Sequence, residues 1–522
     1  MTDIFTRDVI AASLDAAATE MFDTLRKTAM SPIIYEVLDV GTGVTDAQGA
    51  LVSSGAGIPS FIGVLDKSIT AIIEKMEDDI NEGDVFLTND PNYGGVTHLN
   101  DVVVAEPVFY KTQRIAWVAS IAHWSDIGGR TPGSMSVDCS EIIAEGLRLP
   151  IVRIINQGET NSAVFDIISC NSRLPEFARG DLWAQIAAGR KAAERIRQLC
   201  ERYSTQALQQ AISDACNIGE QRTRAGLNNL PVGLYSIDEP QDDGSSWSVS
   251  IKITPNEFIV DLRDAPPEAT TPVNTGRDGT IVACQVFFKA LTDPARFANA
   301  GSFKPLKVLT TPGTVFHAGS QAAHAYYFET RMKLIDMLWH CLASALPEHL
   351  PAGHFASIFG TVIAGNHPDT NRRYTMVEPQ MGGWGATNEQ HGQHAMFSTN
   401  HGDTFNCPVE IAEARYGFDV LDKLLTFAPV VDNQFQGGAG LSIRYRLRSK
   451  AVLSTGYSHA RVPVWSHAQA QAGGVNQLCI HRSNGDSTSY HMASGVQLSA
   501  DDIVEIKTAY GGSVEKTTAK RY

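Results

Sequence analysis

The chain has 522 residues, room for about three or four structural units at ~150 residues each. Its 42 Lys and Arg against 57 Asp and Glu leave a formal charge of −15, which repels phosphate backbones and anionic membrane surfaces and excludes nucleic acid and membrane as partners. At 43% hydrophobic and 19% charged the composition is that of a globular protein, and no uncharged apolar run approaches the ~20 residues that cross a bilayer.

The N-terminal MTDIFTRDVIAASLDAAATE carries acids where a signal peptide needs an apolar core, so a cytoplasmic location is expected. Val9, Ile10, Leu14, Ala17, Met21 and Leu25 recur at mostly three- and four-residue intervals, which predicts an amphipathic helix over 8–30 ended by Pro32. YEVLDVGTGVTDAQGALVSS reads as two short strands around a turn at Asp46–Gly49, with Asp39 in the first, and a second helix is expected over 61–77. After a Gly/Asn/Pro-rich loop, β-rich runs at 102–109 and 115–122 predict a hairpin turning near Lys111–Gln113. Residues 176–228 are rich in Ala, Leu, Arg and Gln with few breakers, which predicts surface helices, and SWSVSIKITPNEFIVDLRDA returns to strand alternation around Pro255 and Asn256. MKLIDMLWHCLASALP (332–347) has helical spacing, whereas the chain beyond 370 is rich in Gly, His and β-formers. The expected fold is α+β and multi-domain, helices packed on largely antiparallel sheets, with an N-terminal domain over 1–235 and a C-terminal one over 236–522.

The eight cysteines stand singly with no CxxC pair, which fits buried reduced thiols rather than a zinc knuckle or a disulfide frame. A metal would have to come from histidines and carboxylates, and His98, Asp101 and His123 lie at or near the ends of the expected hairpin. With the turn centred on Thr112, antiparallel partners sum to about 224, which sets Asp101 opposite His123 with Cβ atoms ~5 Å apart. His98, three residues earlier, can fold over the same point, and Asp39, Asp90 and Asp126 are further carboxylates nearby. The same residues also suit a plainer role, capping strands and satisfying turn amides. If a divalent metal is held there, a neighbouring carboxylate must take up a proton, and Asp126 is the candidate general base.

A second glycine and histidine cluster, MGGWGATNEQHGQHAMFSTNHGDTFNCPVE, holds Trp384, His391, His394 and His401. With no cysteine or acid at ligand spacing, it reads as irregular loops that shape a pocket or an interface, ahead of a second metal site. The chain has no GxxxxGK[ST] loop and no GxGxxG after a strand. GGAGLSIRY (437–445) precedes a strand, so it lacks the helix N-terminus that would receive a phosphate.

NDPNYGGVTHLNDVVVAEPVF, AHWSDIGGRTPGSM and EIIAEGLRLP resemble the signature blocks of the hydantoinase B/oxoprolinase family. The resemblance continues through NAGSFKPLKVLTTPGTVFH, FETRMKLIDMLWHCLASALPE, NCPVEIAEARYGFDV and GGAGLSIRY, and so covers most of the chain. It implies a subunit working with a larger A-type partner of the actin-like ATPase class, as a hetero-oligomer such as a heterotetramer, on cyclic amides (hydantoins, lactams, 5-oxoproline) or in carboxylating ketones. ATP would be bound by that partner, in keeping with the missing phosphate loop. The resemblance further implies a divalent metal (zinc, manganese or iron) on His98, Asp101 and His123, with Asp39 matching the family's strand aspartate. The expected chemistry is phosphorylation of the amide or enolate oxygen by the partner, then ring opening by water at this subunit's metal. The alternatives are a ketone carboxylase subunit and a non-catalytic assembly subunit. The chain departs from the pattern in ending on TAYGGSVEKTTAKRY and in having SHARVPVW where an Asp-Arg stretch precedes Pro-Trp, which leaves the substrate open.

Overall fold

A computed structural model describes residues 3–295, 298–402, 404–467 and 469–516. Asp403 of the second cluster and residues 517–522 of the C-terminal stretch lie outside the described residues.

The helices are α1 (Ile4–Thr28), α2 (Pro32–Tyr35), α3 (Pro59–Met76), α4 (Ser162–Asn171), α5 (Pro175–Tyr203), α6 (Thr205–Leu227), α7 (Arg277–Thr292), α8 (Tyr327–Ala343) and α9 (Val409–Arg415). α1 starts four residues before the periodic pattern does, because the Asp3 carboxylate caps it by accepting from the Thr6 N–H (3.1 Å). It buries Ile10, Leu14, Ala17, Met21 and Leu25 and closes with Arg26 and Lys27, whose charges suit a helix C-terminus.

The first half is built on one seven-stranded sheet: β1 (Val40–Asp46), β2 (Leu51–Gly57), β3 (Val85–Thr88), β4 (Asp101–Tyr110), β5 (Gln113–His123), β6 (Val152–Asn156) and β7 (Glu159–Thr160), in the order β2-β1-β5-β4-β3-β6-β7. α3 covers one face and α1 and α5 the other. Burial on both faces explains why DVVVAEPVFY reads as a continuous apolar run instead of an alternating one. Gln185 of α5 ties the layers together, donating to the Val102 carbonyl (2.9 Å) and accepting from Trp124 Nε1 (3.0 Å).

The β4–β5 hairpin pairs Asp101 with His123 as the register arithmetic requires. Its turn is the two residues Lys111 and Thr112, Lys111 having φ 57°, and a bulge between Val108 and Phe109 shifts the partner sum near the tip without disturbing the far end.

The second half opens with the sheet β11-β10-β9-β8, made of β8 (Gly233–Pro240), β9 (Ser246–Ile253), β10 (Phe258–Leu262) and β11 (Leu306–Thr310), where β10–β11 is parallel. Then come β12 (Gly360–Asn366), β13 (Arg373–Glu378), β14 (Phe418–Thr426), β15 (Gln434–Phe435), β16 (Gly440–Leu447), β17 (Ala451–Gly456), β18 (Gln477–His481), β19 (Ser487–Tyr490), β20 (Ala493–Leu498), β21 (Ile503–Lys507) and β22 (Val514–Glu515). They form the antiparallel sheets β13-β12-β17-β20 and β14-β16-β21-β18-β19 and the pair β15-β22. The fold is therefore α+β with largely antiparallel sheets.

A cut after residue 235 falls inside β8. The largest apolar core draws on both sides of that cut, joining Ile10 through Ile212 to Ala325 through Ile506, while residues 227–350 supply a core of their own. Packing across the whole length, invisible in a local composition profile, is what joins the N-terminal sheet to the C-terminal strands.

Candidate metal centre

Three neighbouring strands end at one level and deliver three side chains to one point. Asp101 is the first residue of β4, His123 the last of β5, and Asp39 immediately precedes β1, its carbonyl accepting from the His123 N–H (3.0 Å). His98 reaches the same point from the loop before β4. Ligand atoms of His98, Asp101 and His123 all lie within 4.8 Å of one another, and all three residues are buried. Asp39 lines the same cavity without belonging to that trio.

The hydrogen bonds around the trio fix which atoms face inward. His98 Nδ1 donates to the Ala325 carbonyl (3.1 Å), so a neutral ring presents the Nε2 lone pair to Asp101 Oδ1 at 3.2 Å. Two acceptors thus face each other, an arrangement that calls for a proton or a metal cation between them. Asp101 Oδ2 is occupied instead by hydroxyl donors, Thr97 and Tyr327 (3.2 Å for the latter). Asp39 Oδ1, Asp101 Oδ1 and His123 Nδ1 are buried with no hydrogen-bond partner. Orphaned acceptors of this kind cost a few kcal/mol each in a dry interior, and two imidazoles with a carboxylate are a donor set that divalent metals accept. The residues present fit the metal that the sequence leads one to expect.

The electrostatics agree. Burial pushes His123 down to about 3, leaving its ring neutral and free to ligate. Burial works to raise the Asp101 carboxyl, but the His98 and His123 rings and the Thr97 hydroxyl outweigh it and hold it below its ordinary range. Asp39, buried and beside Asp101, is pushed well above its own range, with Arg331 opposing. Two carboxylates sharing one dry site cannot both ionise cheaply, so the proton sits on Asp39 until a cation arrives.

Behind the trio stands a supporting layer. Glu145 Oε1 accepts from the His324 and Ala325 N–H groups (2.7 Å each), which holds the carbonyl that orients His98. The cavity in front measures about 30 Å³, the space of one water. Its walls are Phe61, Met135, Ile358 and Val377, and its polar lining adds Tyr327, Arg331, Glu378 and His401. Arg331 is 1% exposed; its Nη2 donates to the Tyr327 hydroxyl (3.2 Å) while Nε and Nη1 have no partner. Burial raises Glu378 to about 6 and lowers His401 to about 3.

Asp126 is not brought to this cavity. Its carboxylate accepts from the Gly128, Gly133 and Arg173 N–H groups (3.0, 3.0 and 2.8 Å) and pairs with Arg173 Nη1 at 3.1 Å. Every lone pair directed into the SDIGGRTPG turn is spoken for, so the residue organises the loop and has no capacity to abstract a proton at the trio. Asp90 is similarly committed, to a two-pronged pair with Arg148 (2.8 and 3.0 Å).

The histidines of the second cluster divide. His391 Nδ1 accepts from the Gln436 N–H (3.0 Å) and His394 Nδ1 from the Ala439 N–H (2.9 Å), which pins this irregular loop to the glycine turn before β16. His401 turns into the cavity. Tyr327, Arg331 and Glu378 were not singled out from the sequence. For the first two a signal exists: Glu329, Arg331, Lys333 and Asp336 are charges inside an otherwise apolar helix, all buried, and such a helix needs polar partners to receive them. The expected start at 332 hid this, because α8 begins at Tyr327.

The Hydantoinase B/oxoprolinase family model matches residues 3–514. The B component of a D-/L-hydantoinase from Pseudomonas sp. (strain NS671) is 29% identical over 506 residues, 92% of this chain and 84% of the relative. The beta chain of caprolactamase from Pseudomonas jessenii is 28% identical over 477 residues, 88% of this chain and 81% of the relative. A crystal structure of ATP-dependent caprolactamase from Pseudomonas jessenii superposes with a TM-score of 0.91 at 24% identity, covering 98% of this chain and 91% of that one. The nucleotide-free acetone carboxylase structure superposes with a TM-score of 0.85 at 15% identity, covering 97% and 75%. At these identities the two superpositions establish the shared fold.

Proposed function

This chain belongs to the hydantoinase B/oxoprolinase family, and we propose that it is the B-type subunit of an ATP-dependent hydrolase of cyclic amides, carrying the site where the activated ring is opened. The observation that supports this most is the buried trio His98, Asp101 and His123 facing Arg331 across a cavity with apolar walls.

His98, Asp101 and His123, with Asp39 beside them, would hold a divalent metal such as zinc, manganese or iron, which would supply Lewis-acid polarisation of an amide carbonyl. The chain's own residues do the rest. Arg331 presents two unpaired N–H groups to the cavity, where they stabilise negative charge developing on a carbonyl oxygen. Glu378, near 6, is matched to taking up a proton close to neutral pH. Phe61, Met135, Ile358 and Val377 exclude bulk water, which strengthens each of these interactions. An unactivated lactam is a poor electrophile, and the sequence has no phosphate-binding loop, so activation by ATP falls to an A-type partner.

The test is co-purification with an A-type partner, followed by ATP hydrolysis across hydantoins, lactams, 5-oxoproline and ketones with bicarbonate. Ring opening that needs ATP and both chains, and that His98→Ala abolishes, is the expected result. Turnover by this chain alone without ATP would refute the two-subunit reading. Full activity of His98→Ala in metal-free protein would make the chain an assembly subunit. The ketone carboxylase reading, supported by likeness to the acetone carboxylase fold, would instead show as bicarbonate incorporation by the same pair.

A further inference from the structure

On the far side of β13 from the trio lies a cleft of about 750 Å³, within the size range of small-molecule sites. It is walled by the α1–α2 corner, the start of α5, the turn before β13 and the end of α9. Four arginines line it, Arg173, Arg372, Arg373 and Arg415, against one acid, Glu176. That bias runs against the chain's formal charge of −15.

Arg148, Arg444, Arg446 and Arg448 each sit on a carboxylate, and within the cleft Arg173 is committed to Asp126. Arg372, Arg373 and Arg415 have no ion-pair partner among the described residues. The nearby Asp369 is already held by Arg448 at 2.8 Å, so it does not neutralise them. Buried donors complete the lining. His367 is 7% exposed, and its Nδ1 accepts from the Asp369 N–H (3.2 Å), which leaves a proton on Nε2; that Nε2 and the hydroxyl of Thr375, also 7% exposed, have no partner. The 29-residue α5 begins at this rim with no side-chain cap, adding the positive end of its dipole.

We propose that this cleft binds a small phosphate-bearing organic anion. Arginine forks match phosphate oxygens two at a time, and the buried His367 Nε2–H and Thr375 hydroxyl provide neutral donors below them. Position gives the site a use. Arg373 and Thr375 of β13 face the cleft and Val377 and Glu378 line the metal cavity, so about 10 Å of one strand separates the two. Which phosphate is bound rests on the function proposed above: the amide O-phosphate made by the partner, or the inorganic phosphate released. That an organic phosphate binds rests on the cleft alone.

Titration calorimetry of the full chain at constant ionic strength, with inorganic phosphate, acetyl phosphate and acetate, tests it. The expected result is saturable one-to-one binding of a phosphate at least tenfold tighter than acetate. Arg372→Ala with Arg415→Ala, both exposed positions, should weaken it at least tenfold, whereas the distant Arg202→Ala should not. Tighter acetyl phosphate supports the activated substrate and tighter inorganic phosphate the product. No saturable binding, or binding indifferent to the double variant, overturns the proposal. So does a double variant that loses an A-type partner when neither phosphate binds, which would make the cleft a docking surface for an acidic protein segment. His98→Ala should keep full phosphate affinity, so failure at the metal centre and failure at the cleft are told apart.

Discussion

Tyr327→Phe isolates the contribution of one hydroxyl to the metal centre. The ring, 5.0 Å from His98 centroid to centroid, is retained, and the cavity keeps its shape. Asp101 Oδ2 loses one of its two hydroxyl donors and Arg331 Nη2 loses its acceptor, joining Nε and Nη1, which already have none. Removing an outer partner of a ligating group lowers metal affinity about 10- to 100-fold, or about 1.4–2.7 kcal/mol at ~1.36 kcal/mol per decade. The worth of a hydrogen bond to a charged acceptor, about 1.5–3 kcal/mol, agrees. Competition for zinc and for manganese against a chromophoric chelator measures it, with Tyr235→Phe as control, because that hydroxyl donates to the Pro231 carbonyl (3.0 Å) away from the site. Affinity within twofold of wild type in a variant with unchanged near-ultraviolet circular dichroism would refute the assignment of Asp101 as a ligand.

Three further outcomes follow from the same geometry. Glu378→Gln should lower kcat of the assembled complex about 10²- to 10⁴-fold and remove an activity limb that rises with pH around 6, where burial places this carboxyl; an unchanged limb would assign the proton elsewhere. Asp126→Ala should cost about 3–5 kcal/mol of stability by stranding the Arg173 guanidinium, read in a urea melt, while metal affinity is kept; unchanged stability with lost turnover would return Asp126 to the role of base. Glu145 is raised by burial from 4.5 to about 8, so its share of stability is fully present below about 4.5 and lost as pH rises through 8. Glu145→Gln keeps an acceptor for the His324 and Ala325 N–H groups, and should leave Tm near wild type at pH 5 and raise it at pH 8; equal shifts at both pH values would contradict this.

Much of the site was legible because it depends on short-range rules. Strand pairing has a period of two, and one hairpin turn sets the register of every pair beyond it, so Asp101 opposite His123 follows from where the chain reverses. The bulge at Val108 changed only the tip, where no ligand stands. The α+β class and most element positions are similarly local, carried by periodicity, caps and prolines.

Tertiary structure decided the remainder. Whether Asp126 abstracts a proton or organises a turn depends on Arg173, 47 residues away, and spacing within SDIGGRTPG cannot reveal it. His98 is oriented by a carbonyl 227 residues distant, and Arg331, Glu378 and His401 reach the cavity from α8, β13 and a loop whose own sequence is silent about their destination. The sequence by itself determined the metal-binding trio, because a hairpin brings near neighbours together at a cost set by a short loop. Only the folded chain determined what faces that trio, because long-range contacts are selected by the burial of a shared core and leave no period in the sequence.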